Sequence, residues 1–148
     1  MTEDIEVASI LVDPGIYELQ SVQSSSRYFV STTLGESPRY VRLAGDDSRS
    51  LRLDTAWHAL IALISHPVEW AEGEMLPRSM RDAAATKAWT LRLGSSHTYL
   101  TPDRTPGRGP VYWVQSSACR RLIRHDTMPD FLAEIPLDDV LLEQASAP

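Results

Sequence analysis

The chain of 148 residues contains one cysteine, Cys119. That excludes an internal disulfide and a zinc site built on cysteines, and it suits a reducing compartment, so a cytoplasmic protein is expected. Lysine is almost missing as well: of 14 basic residues only Lys87 is lysine and the rest are arginine. Long apolar runs are absent. The longest, Ala59 to Ile64, falls far short of the roughly 20 residues that span a bilayer, so no membrane partner is expected. The opening Met1-Thr2-Glu3-Asp4 is acidic and lacks the basic and apolar regions of a secretion signal. No His-x-x-x-His or His-x-His pair occurs, and His58 and His66 stand too far apart to hold one metal ion on either a helix or a strand. The chain has no Gly-x-Ser-x-Gly elbow, and Gly107-Arg108-Gly109-Pro110 lacks the Lys-Ser/Thr ending of a phosphate loop. No cofactor and no catalytic residue is therefore assigned. Cys119 reads as a small buried hydrophobe.

What is present is an ordinary globular composition, 43% hydrophobic and 23% charged, which should fold. The length suits one domain over residues 1–148. The net charge of −6 is unevenly spread: residues 1–20 carry −5, residues 126–148 carry −6, and the stretch between them is net +5. The domain is thus read as a basic body with acidic segments at 1–14 and 126–148. Such a body binds an anionic partner, or its own acidic ends fold back over it.

Alternating runs at Ile16 to Val22 and Arg27 to Thr33 predict a hairpin with Leu19 opposite Val30 and Ser21 opposite Tyr28. A second hairpin, Arg39 to Ala44 with Ser50 to Asp54, pairs Val41 with Leu53 and Leu43 with Leu51 on a buried face. Its outer face then carries Arg42 opposite Arg52, with Asp54 diagonally across. Ala56 to Ser65 is compatible with strand or helix. Its β-branched residues and the closing Pro67 lean to strand. Pro77 to Ala88 reads as an inserted helix. Strands follow at Trp89 to Leu93, His97 to Thr101 and Val111 to Gln115, while Cys119 to Ile123 is open between strand and helix. Thr127-Met128-Pro129-Asp130 resembles a capping box, and Leu137 to Ala145 a last helix. The expected fold class is α+β and mainly β: an antiparallel, partly closed sheet or small barrel built from hairpins, with one inserted helix and C-terminal helices.

Residues Ser24-Ser25-Ser26-Arg27-Tyr28-Phe29-Val30, Arg39-Tyr40-Val41-Arg42-Leu43-Ala44-Gly45 and Leu51-Arg52-Leu53-Asp54, closing on Trp57, resemble a pattern in uncharacterised small β-rich proteins of actinobacteria and their phages. The resemblance covers residues 15–57. It implies a fold and a source, and no activity.

The arginines are the sharpest chemical feature. Arg42 facing Arg52 sets like charges across a ladder, which costs stability unless an anion neutralises them. That anion is Asp54, the Asp46-Asp47 loop, an acidic terminus or an external phosphate. Arg104 and Arg108 lie on a Pro/Gly loop with Tyr112 and Trp113 at its base, an arrangement able to bind single strands by charge and stacking. The candidate binding residues are therefore Arg42, Arg52, Arg104, Arg108, Tyr112 and Trp113. The expected function is a non-enzymatic binding or regulatory protein acting on a protein or nucleic-acid partner. The alternative is a small metal-independent nuclease or other hydrolase that uses a histidine and arginines.

Overall fold

The computed structural model describes residues 1–45, 54, 56–71, 83–104, 106–107 and 109–146. Within them the chain is mainly antiparallel β with two short helices, and neither large sheet closes into a barrel. The strands are β1 (Thr2–Ile5), β2 (Val7–Ser9), β3 (Ile16–Ser21), β4 (Arg27–Ser31), β5 (Arg39–Leu43), β6 (His58–Ala59), β7 (Ala62–Val68), β8 (Lys87–Ala88), β9 (Thr90–Arg92), β10 (Ser95–Pro102), β11 (Val111–Gln115) and β12 (Cys119–His125). Helices α1 (Asp130–Ala133) and α2 (Asp139–Ser146) follow. A six-stranded sheet runs β1-β12-β3-β4-β5-β6, a four-stranded sheet runs β11-β10-β7-β8, and β2 pairs with β9 in a short ribbon.

The first hairpin forms with Leu19 opposite Tyr28 and Tyr17 opposite Val30. This register is two residues away from the expected one. Because side chains alternate with period 2, a shift of two keeps every side chain on its face. Tyr17, Leu19, Tyr28 and Val30 accordingly share one core cluster with Tyr40 of β5 and with Leu63, Tyr99 and Val114 of the facing sheet. The opposite face is buried too. Phe29, Val41, Trp57 and Ala59 pack against Leu132, Val140 and Leu141 of the C-terminal helices. The six-stranded sheet is thus the middle layer, and this explains why Glu18 and Arg42, on opposite faces of it, are both buried.

Other expectations differ or fall outside the described residues. The Ser50 to Asp54 strand falls on a stretch of which Asp54 alone is described. Described β5 pairs with β4 and β6. The segment Ala56 to Ser65 is strand, interrupted near Leu60, but Pro67 does not end it, since β7 continues through Val68. Residues 77–82 of the expected inserted helix also lie outside the described part. Ala83 is helical, but Lys87 and Ala88 form β8 against Ser65 and Ile64. Trp89 then takes φ +51, in the left-handed region a bulky residue rarely enters. That turn moves the chain from the four-stranded sheet into the ribbon, where Leu91 pairs with Ala8. The expected capping box does not form. Pro129 occupies the N-cap of α1 without a side-chain cap. Cys119 to His125 is strand.

The facing side of β10 carries polar groups inward. His97 and Thr101 are both fully buried, and among the described residues His97 Nδ1 and Thr101 Oγ1 have no hydrogen-bond partner. A buried hydroxyl without a partner loses its hydration and gains nothing in return. Thr101→Val keeps the shape and removes that loss. It should stabilise the fold by about 1 kcal/mol and raise the calorimetric melting temperature by roughly 2–4 °C. A lower melting temperature would show that the hydroxyl is satisfied in solution.

Candidate functional site

Of the predicted binding residues, the structure describes Arg42, Arg104, Tyr112 and Trp113. Arg42 lies on the same face of the sheet as Tyr28, its register partner, and is 8% exposed. Its Nη1 donates to Asp54, and its Nη2 donates to Ser26 Oγ at 3.1 Å. The outer-face placement of Arg42 is therefore overturned, and of the candidate anions Asp54 supplies the neutralisation. Arg52 and Arg108 lie outside the described residues. Arg104 is held by Glu143 of α2 at 2.7 Å, a bridge between two exposed side chains that contributes little to stability. Arg121 meets Asp4 of β1 at 2.8 Å and Arg124 meets Asp13 at 3.0 Å. Both acidic ends are thus packed on the body, and β1 forms within a segment that sequence reading marked only as acidic. Tyr112 is half-buried, whereas Trp113 is 63% exposed.

Trp113 sits on the outer face of the four-stranded sheet. Its register partner is Leu100, which in turn pairs with Ala62. Val111 and Pro102 form the next row on that face, and Ile64 with Thr98 and Gln115 another. None of these residues belongs to either core cluster. Among the described residues, this face is mostly apolar and carries no charged residue on those rows.

Sequence reading also missed two carboxylate-oriented imidazoles. His58 of β6 donates from Nδ1 to Asp138 at 2.9 Å, beside a cleft of about 310 Å³ that Asp103 and Arg104 help to line. Burial by itself would raise the Asp138 carboxyl, but hydrogen bonds from His58 and from the Leu141 amide outweigh it and leave the group below its usual value. Asp138 Oδ1 also accepts the Leu141 N–H at 2.9 Å and so caps α2, while the Asp138 amide donates to Trp57 O. This pair therefore clasps the C-terminal helix to the sheet. His125 of β12 donates from Nε2 to Glu18 of β3 at 2.9 Å, and Gln20 donates to the other Glu18 oxygen at 2.9 Å. A cleft of about 440 Å³ lies alongside, lined in part by Gly15, Arg124 and His125. An imidazole fixed by a carboxylate is chemically able to accept a proton from a substrate or water. The partners are 80 and 107 residues apart, and no local motif announces them.

Cys119 is buried, and burial pushes its thiol up to about 12, which leaves it unreactive. No group of three metal-ligating side chains occurs among the described residues. No described helix is long and apolar enough to cross a membrane. No family model, curated protein or solved structure matches the chain.

Proposed function

We propose that this chain is a non-enzymatic binding protein of the cytoplasm that receives a protein partner on the outer face of its four-stranded sheet. The observation that carries the reading is Trp113, 63% exposed on an apolar face that joins neither core cluster. Contiguous exposed apolar surface is uncommon on soluble proteins and marks interaction sites. Tryptophan is also the residue most enriched among binding hot spots. A protein partner is favoured over nucleic acid because, among the described arginines, Arg42 is consumed by Asp54 and Arg104 by Glu143. The likeness of residues 15–57 to small β-rich proteins of actinobacteria and phages supports a bacterial or phage source.

The hydrolase reading rests on the His125–Glu18 pair beside its cleft. Against it, the neighbouring Arg124 is engaged by Asp13 and by Pro14 O, so the cationic group a phosphate substrate would need there is occupied. Capture from a lysate of the source cells tests the binding reading, with wild type compared to Trp113→Glu and with and without nuclease. The expected result is a captured protein that survives nuclease and binds roughly thirtyfold more weakly, or worse, to the variant. Capture that is abolished by nuclease, or equal for both chains, would overturn the reading.

A further inference from the structure

We infer that a second copy of this chain docks edge to edge on β11, so that two four-stranded sheets join into one. The first observation is the direction of the backbone groups. Ser116 N–H donates to His97 O and Asp103 N–H to Pro110 O, both at 2.9 Å, while Trp113 pairs with Leu100 without a register shift. In an antiparallel ladder the residues bonded to the neighbour alternate with residues whose N–H and C=O point away. Residues 110, 112, 114 and 116 thus face β10, and Val111, Trp113 and Gln115 aim theirs at the open edge. Among the described residues, these three take part in no other hydrogen bond.

The second observation is the contrast with the other edges. Folded proteins blunt exposed edges with charge, proline or short length. Edge strand β1 carries Glu3 and Asp4, β6 has two residues, and β8 has two, one of them Lys87. Both ribbon strands have three. β11 has five residues, Val-Tyr-Trp-Val-Gln, with no charge and no proline.

The third observation names the occupant. A two-fold axis through Trp113 sets Trp113 opposite its own copy, Val111 opposite Gln115 and Gln115 opposite Val111. Every outward N–H and C=O then meets an outward partner, so the strand is complementary to itself and the contact closes as an isologous dimer. Because the strand is uncharged, no like charges oppose each other across the axis, even though the whole chain carries −6.

Sedimentation equilibrium of the full chain over micromolar to millimolar concentration provides the test, together with Gln115→Pro and Trp113→Lys. Proline at position 115 removes an edge-directed N–H and no bond to β10, and it leaves the apolar residues of the Trp113 face in place. Wild type should dimerise, and Gln115→Pro should weaken the dimer roughly tenfold or more. Trp113→Lys, which opposes two ammonium groups, should be monomeric. Thermal melts should show both variants folded. In the wild type, the amides of Val111, Trp113 and Gln115 should gain exchange protection as concentration rises. A wild type that stays monomeric, a dimer indifferent to Gln115→Pro, or no gain in protection at those three amides would each overturn the inference. The second of these results would instead describe association through the apolar face.

Discussion

Tyr99→Ala should destabilise the protein by about 3–5 kcal/mol, the range for truncating a large buried aromatic ring. Tyr99 is fully buried between the sheets and stacks with the rings of Tyr28 and Tyr40, each at a centroid distance of 4.9 Å. The Tyr28 ring lies within 5° of parallel and the Tyr40 ring within 18°. Such contacts contribute roughly 0.5–1.5 kcal/mol each beyond burial, and both disappear with the ring. The stack joins β4 and β5 of one sheet to β10 of the other, so the variant loosens the layer contact itself. Urea unfolding followed by tryptophan fluorescence would measure the loss. A change below about 1.5 kcal/mol, smaller than an ordinary truncation of this kind, would mean that neighbouring side chains refill the space.

Acid should weaken the fold well above the carboxylate range, and His97 is the reason. Its imidazole is fully buried, with Nε2 accepting the Arg92 N–H at 3.0 Å. Burial, helped by the charge of Arg92, lowers its pKa from 6.5 to about 3. Below 6.5 the unfolded chain takes up a proton on this residue that the folded chain refuses, so protonation favours unfolding. The contribution is complete above 6.5 and is lost progressively as pH falls toward 3. Between pH 7.5 and 5 the expected loss from this one group is about 2 kcal/mol. His97→Gln keeps an acceptor for the Arg92 amide and does not titrate. Wild type should therefore lose about 2 kcal/mol more than His97→Gln over that pH interval in paired denaturant titrations. Equal slopes would show that His97 is protonated in the folded protein. Asp138, with its carboxyl held low, weakens the fold on further acidification, as pH falls below the ordinary carboxylate range.

The alternation of Tyr17, Leu19, Tyr28 and Val30 was legible in the sequence because period 2 assigns faces whatever the exact register. The strand at Val111 to Gln115 was equally plain. Two features hid the rest. The six-stranded sheet is covered on both sides, so polar residues such as Glu18 and Arg42 sit on buried faces where partners distant in the chain satisfy them. Arg42 relies on Asp54 and Ser26, and Glu18 relies on His125 and Gln20. The ends of the sheets were the other difficulty. β1, β6 and β8 hold only two to four residues, too few for periodicity to register, and their pairing with distant strands decides them. Among the described residues of the candidate site, Trp113 is the exposed aromatic anchor. Its row across β10 and β7 is a product of pairing that no single segment displays.

The place of β12 has a consequence for how the protein is made. β1 and β3 are both neighbours of β12, with Thr2 opposite His125 and Leu19 opposite Leu122. While the ribosome is still extending the chain, β3, β4 and β5 are able to form a meander of sequential hairpins. Among the described residues β1, synthesised before all of these, pairs with β12 alone, so it waits until β12 emerges. Joining strands so remote in the chain is slow, because loop closure is paid before any contact rewards it. A nascent chain stalled before Cys119 would display β1 alone and one long side of β3 unpaired, which makes the interval before β12 emerges one of exposure to aggregation and to chaperones.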